Sequence, residues 1–169
     1  DEGITDINVT NPVGAGVGVQ LANLEDASLN LDTGYSADVF FDVSDDANAI
    51  AQALVSAGTG TALDNAEDVE VDGGVVSVDS AADIQAIANY DSAASSYTVS
   101  DTAGAILDAT GTVIDDGVSA INVENTVGAG VGVQLGQLDD ASFETGYSAA
   151  VNFNVVDDAN DIAQALVSA

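Results

Sequence analysis

YSADVFFDVSDDANAIAQALVSA, residues 35–57, joins two different hydrophobic periods. In residues 35–43 apolar and polar side chains largely alternate, which is the pattern of a strand with one buried face. From Ala47 onward the apolar residues recur at i, i+3, i+4 and i+7, which is the spacing of an amphipathic helix. Either Ser44 or Asp45 suits the helix N-cap. The stretch therefore predicts a strand that leads directly into one short helix.

The pattern recurs along the chain, since residues 147–169 repeat the quoted stretch with few changes. The likeness extends upstream, so that residues 1–57 (the N-terminal unit) and 115–169 (the C-terminal unit) are two versions of one sequence. A shorter phrase of the same kind lies between them, at intervals of 56 residues. We therefore predict three repeat units, with boundaries at 1–57, 58–114 and 115–169.

Both terminal units contain the run VGAGVGVQL, at residues 13–21 and 127–135. Its alternation of glycine with larger apolar residues predicts a strand with one apolar face and one nearly bare face. A flat strand of this kind is suited to pairing with a neighbouring chain, edge to edge. The predicted assembly strand consists of six valines: Val13, Val17, Val19, Val127, Val131 and Val133.

Taken together, the patterns predict a mainly β fold with short packed helices, arranged as a solenoid-like or β-sandwich-like tandem-repeat array. The last residue falls at the same register as Ala57, after which the next unit begins at Gly58. We therefore expect either a piece of a longer array or a homo-oligomer whose subunits bind head to tail.

The composition excludes many functions, because the 169 residues contain no Lys, Arg, His, Cys, Met or Trp, and the formal net charge is −29. The chain has no thiol, imidazole or amine for covalent or acid–base catalysis, and no cationic side chain that would bind a phosphate. A polyanion also repels nucleic acid and anionic membranes. We expect no enzymatic activity, no nucleic-acid partner and no anionic membrane partner. The 47% of hydrophobic residues argues against disorder.

Asp outnumbers Glu by 23 to 6, and short carboxylates suit turns, helix caps and calcium sites. A compact chain of this charge repels itself, so we expect folding to depend on cations from solution. Those cations are either specific divalent ions, with Ca²⁺ as the expected cofactor, or concentrated salt around an acidic surface.

The best predicted calcium site lies in residues 68–79, where Asp68, Glu70, Asp72 and Asp79 have nearly the ligand spacing of an EF-hand loop. The alternative for this segment is a strand, a turn and a second strand. Four further candidate ligands occur in adjacent pairs, for which helix capping is the alternative role: Asp45, Asp46, Asp157 and Asp158.

The phrase S-D-T-A-x-x-I at residues 100–106 and the Asp-rich, Lys-poor repetition resemble large repetitive secreted proteins of bacteria. These include calcium-dependent adhesins, biofilm matrix proteins and subunits of surface layers or extracellular filaments. The resemblance implies an extracellular or cell-surface scaffold that is self-associating and calcium-dependent. We expect a non-catalytic structural subunit stabilised by cations. The alternative is a calcium-dependent adhesin module that binds a glycan or another surface ligand.

Overall fold

Seven strands and six helices are present in the computed structural model, which describes residues 6–25, 38–57, 63–109, 114–139 and 146–168. The strands are β1 (Asp6–Asn8), β2 (Asp38–Phe40), β3 (Asp42–Asp45), β4 (Asp68–Val76), β5 (Ser96–Asp101), β6 (Val118–Val123) and β7 (Ala150–Asn152). The helices are α1 (Ala15–Glu25), α2 (Ala47–Ala57), α3 (Val78–Gln85), α4 (Ala103–Asp108), α5 (Ala129–Leu138) and α6 (Ala159–Ser168).

All of these strands pair in parallel, and their order across the sheet follows their order in the chain. β3 to β7 form a five-stranded sheet, and β1 pairs with β2 beside it. β2 and β3 together occupy one strand position, since only Phe41 separates them and its carbonyl accepts a hydrogen bond from Glu67 N–H at 2.8 Å. The alternation of parallel strands with helices is Rossmann-like.

The two faces of the sheet differ in polarity. Val69 and Val71 on β4, like Val99 on β5, are buried beneath the helices. Helix α2 packs against α1 and α3, and α5 packs against α4 and α6. Their neighbours along the strands, such as Glu70 and Thr98, lie half-buried on the opposite, polar face. Parallel sheets are usually covered on both faces, so this open polar face is unusual. None of the described helices is long and apolar enough to cross a membrane.

The predicted mainly β fold, in a solenoid-like or β-sandwich-like array, is wrong. The described residues form an α/β fold with 41% helix and 29% strand. The physical reason is that neighbouring parallel strands need long crossover connections, and helices supply them. The opening stretch does form the predicted strand and helix, as β2, β3 and α2, although residues 35–37 lie outside the described part.

The predicted strand VGAGVGVQL is also wrong, because most of it forms helices α1 and α5. Among the six predicted assembly valines, Val13 and Val127 make single parallel bridges, to Val43 and Val155. The other four are helical: Val17, Val19, Val131 and Val133.

Glycine explains how this run packs against the sheet as a helix. A Cβ at Gly18 would lie only 2.7 Å from Cγ2 of Val43, and one at Gly132 only 2.6 Å from Cγ2 of Val155. The missing side chains therefore let α1 and α5 lie directly on the sheet. The alternation that suggests a strand instead places Gly18 three residues after the buried Ala15, on one face of the helix.

Candidate functional site at the edge of the sheet

An apolar surface is uncovered where β7 and α6 end the sheet. The aligned sequences of the two units allow each residue here to be compared with its equivalent in the N-terminal unit. The exposed fraction rises from 1% for Val43 to 39% for Val155, from 0% for Ile50 to 37% for Ile162, and from 4% for Leu54 to 72% for Leu166. The same apolar side chains are therefore core residues in one unit and surface residues in the other.

The N-terminal unit shows what covers such a surface. β4 pairs with β3, while β4 and α3 both contact α2. Leu63 reaches the Gly18 position, where its Cδ2 would lie 3.2 Å from an added Cβ. In the C-terminal unit the corresponding region is an open groove of about 300 Å³. Its lining is almost entirely apolar: Ala129, Gly132, Val133, Val155, Ile162, Ala165 and Leu166.

The opposite edge of the sheet is incomplete in a complementary way. Ile7 and Val9, in and just after β1, are half-buried, whereas their equivalents Ile121 and Val123 are 0% and 8% exposed. The difference arises because β6 lies between β5 and β7, while β1 pairs with β2 alone among the described strands. Among the described strands, each edge of the sheet thus lacks a neighbour of the kind that the other edge would supply.

Aspartates at or shortly after the ends of strands cap the preceding helices. One carboxylate oxygen of Asp45, Asp101 and Asp157 accepts the first N–H of α1, α3 and α5, at 3.0, 3.1 and 3.0 Å respectively. The other oxygen accepts the N–H of the following residue. The bond from Ala129 N–H, followed by that from Asp158 N–H, lowers the pKa of Asp157. These carboxylates therefore join each helix to the strand that follows it.

Asp46 and Asp158, the other two predicted ligands among the paired acids, each cap the helix that directly follows them. Asp46 Oδ1 accepts the N–H groups of Asn48 and Ala49, and Asp158 Oδ1 accepts those of Asn160 and Asp161. Helix capping is thus the geometry that the structure gives to this predicted set.

One group of three carboxylates in the described part of the chain has ligand oxygens within 4.8 Å of one another, namely Asp157, Asp158 and Asp161. All three side chains are exposed. The equivalent position to Asp161 in the N-terminal unit is Ala49, so the N-terminal unit carries only two of the three acids.

The predicted EF-hand-like ligands are not brought together. Asp68, Glu70 and Asp72 alternate along β4, and Asp79 lies in the first turn of α3. The expected loop is instead a strand with an irregularity between Asp72 and Val75, where both intervening glycines have positive φ. Side chains two residues apart on a strand are separated by roughly 6.5 Å, too far to form a compact ligand cage.

Asp68 faces other acids rather than a cation. Asp42 is its partner across the β3–β4 pair. Burial first, and then the charges of Asp91 and Asp42, raise the pKa of Asp68. This part of the polar face is therefore a site of electrostatic repulsion.

The exposed residues Ile162 and Leu166, and the edge residue Ile7, were not identified as functional from the sequence. Their apolar spacing is that of core positions, and only the missing neighbour turns them into surface. The signal that could have found them is the strong similarity between two units, of which one is covered in the fold and the other is not.

Comparison with protein-family models, with curated proteins and with solved structures finds no match to this chain.

Proposed function

We propose that this chain is a non-catalytic structural protein whose copies join head to tail, through the two edges of the parallel sheet, into an extracellular filament or surface scaffold. The observation that supports this proposal most strongly is the uncovered face of β7 and α6, whose counterpart in the N-terminal unit is core. Edge strands with unpaired backbone groups and an apolar flank are suited to strand addition.

The net negative charge of each chain makes the proposed assembly dependent on cations. Each chain carries a formal charge of −29, so two chains repel each other unless cations screen them. We propose that association requires dissolved cations, with calcium the expected ion in an extracellular setting. The exposed acids beside the junction, such as Asp157 and Asp158, place part of that repulsion at the contact itself.

The test is sedimentation velocity over a range of protein concentrations, at low and high salt and with calcium, followed by electron microscopy. Wild-type protein is expected to form chains of increasing length as the cation concentration rises. Replacing Leu166 by Asp should leave the protein monomeric, because it places a charge in the joined surface. Circular dichroism checks that the variant is folded.

A matched control lies one residue further along α6. Val167 is 89% exposed and its equivalent Val55 is 77% exposed, so this position is on the surface in both units. Val167→Asp should therefore associate like the wild type. A protein that is monomeric under all conditions, or a Leu166→Asp variant that associates normally, would overturn the proposal and favour a monomeric ligand-binding module.

A further inference from the structure

Resting on the head-to-tail assembly proposed above, we infer the register of the joint: β1 of a neighbouring chain extends the sheet beyond β7, with its Ile7 directly opposite Val155. The partner is the β1–α1 end of a second copy of the chain. The register also specifies which backbone and side-chain groups meet there.

Three equivalent valines carry the argument for this register. Val43 lies between Val13 and Val69, and Val99 lies between Val76 and Ile121. Val155 pairs with Val127 on one side and has no strand on its other side within the described part of the chain.

The residue that should lie beside Val155 can be identified by alignment. Ile121 pairs with Val99, and the N-terminal equivalent of Ile121 is Ile7. Ile121 also pairs with Val151 on its other side, as Ile7 does with Val39. Within the described part of the chain, Ile7 therefore lacks the neighbour that Val155 would supply. Each missing neighbour is present, in the same register, elsewhere in the same sheet.

A helix cap supports the same register independently of strand pairing. Asn125, just after β6, accepts the first N–H of α4 from Ala103 through Oδ1 at 3.0 Å. The aligned sequences make Asn11 the equivalent of Asn125, and Ala159 the equivalent of Ala103. In the inferred joint, Oδ1 of the neighbour's Asn11 accepts the first N–H of α6. Asn11 is exposed in the single chain and is thus available for this role.

Cysteine cross-linking tests the register cleanly, because the chain has no cysteine of its own. The pair Ser100 and Asn122 predicts that Val156 lies opposite Asn8 of the neighbour, on the open face. Directly opposite residues fall within the Cα separation that a disulfide accepts. A mixture of the single variants Val156→Cys and Asn8→Cys should yield mixed dimers on oxidation. The double variant should yield a ladder of longer products.

Two controls distinguish this register from others. Asn154→Cys lies two residues from Val156 along the strand, so its sulfur should cross-link poorly with that of Asn8→Cys. Dimers between two Asn8→Cys chains would instead indicate that like edges meet. Either strong cross-linking through position 154 or a predominance of Asn8–Asn8 dimers would overturn the inferred joint.

Substitution of Asn11 tests the cap. Asn11→Ala should weaken association roughly fivefold to tenfold, the usual loss for a missing helix cap, while leaving the melting temperature of the monomer unchanged. Asn11→Asp keeps the acceptor and should restore association at high salt. Asn125→Ala, the equivalent change within one chain, should instead lower the melting temperature. An Asn11→Ala variant that associates like the wild type would contradict the cap.

The outcomes separate this inference from the proposed function. Absence of association overturns both. Association that persists with cross-links in another register, or without dependence on Asn11, overturns only the joint inferred here.

Discussion

Glycine at position 18 shows how one missing side chain sets the depth of helix packing. Gly16, two residues earlier on the same helix, is different, because a Cβ added there would meet no atom within 4 Å beyond its own stretch of helix. The two glycines are adjacent in the alternating sequence pattern, yet they have opposite environments. Only the folded structure distinguishes the glycine that is needed from the one that is not.

We predict opposite effects of alanine at these two positions. Gly18→Ala should lower the free energy of unfolding by about 1–3 kcal/mol, because the added methyl overlaps Val43 in a packed interface. Gly16→Ala should raise it by about 1 kcal/mol, the difference in helix propensity between alanine and glycine. Urea denaturation measures both values. Stabilisation by both substitutions would show that α1 does not pack on the sheet as described.

The ionised carboxylate of Asp68 lowers the free energy of unfolding by an amount that depends on pH and salt. Its pKa is raised by burial and by neighbouring acids. As the pH falls, Asp68 therefore becomes protonated in the folded chain before it does in the unfolded chain. This destabilisation is full above the folded pKa and disappears as the pH falls through that value to below the unfolded one.

Asp68→Asn should therefore raise the free energy of unfolding at neutral pH and low salt, by roughly 0.5–1 kcal/mol. The gain should shrink at high salt and at acidic pH. Asp72→Asn is the control, since Asp72 is exposed and lies opposite Ser96 rather than an acid. Equal effects of the two substitutions at every salt concentration would contradict local repulsion at Asp68. Chemical denaturation across the two salt and pH ranges provides the measurement.

At the scale of elements, the abundance of Asp has a structural explanation in the junction between each helix and the following strand. A carboxylate on a short side chain reaches two N–H groups at once, as Asp101 does with Val78 and Thr102. Glu has an additional methylene and is less suited to this position. The composition that suggested calcium is thus explained in part by hydrogen bonds to the backbone.

Removing one such junction should loosen two elements together. Asp101→Ala should lower the free energy of unfolding by about 1–2 kcal/mol, because it leaves the first N–H of α3 without its acceptor. Asp101→Asn retains one acceptor oxygen and should lose less. Asp83→Ala, on the exposed face of α3, removes the same charge and should have little effect. If Asp83→Ala proved as costly as Asp101→Ala, the loss would reflect net charge rather than capping. Thermal melts of the three variants decide this.

Element types were predictable from sequence only where the period was unambiguous. Helix α2 and strands β2 and β3 follow from their spacing, but the helical nature of α1 does not, because alternating glycine satisfies both periods. The cap of α2 is predicted at Ser44 or Asp45, whereas Asp46 fills that role and accepts the N–H groups of Asn48 and Ala49. The candidate joint could not be predicted in this way. The two units have nearly the same sequence spacing, and only the burial of their equivalent residues in the fold differs.

For the whole molecule, the charge of −29 has no cationic side chain to offset it, so the folded chain repels itself. We predict that the melting temperature falls in low-salt buffer after EDTA treatment and recovers when sodium chloride is added. Calcium chloride at the same ionic strength should raise the melting temperature further than sodium chloride does only if calcium binds a specific site. A protein equally stable in low-salt buffer with EDTA would contradict the dependence on cations. Differential scanning calorimetry measures each condition.

The same scale sets a dimension for the assembly. The described sheet has six strand positions, at about 4.8 Å each, so joined chains should repeat roughly every 29 Å along the sheet. Power spectra of electron micrographs would reveal this spacing.

Because every described strand points the same way and the two edges differ, a filament of joined chains is polar. Its tips are chemically unlike: one presents α6, the other presents β1. Growth should therefore proceed at unequal speeds from the two tips. Consider a variant whose α6 surface cannot bind a neighbouring chain but whose β1 can still join a filament. Such a variant would stop elongation at one end of the filament only.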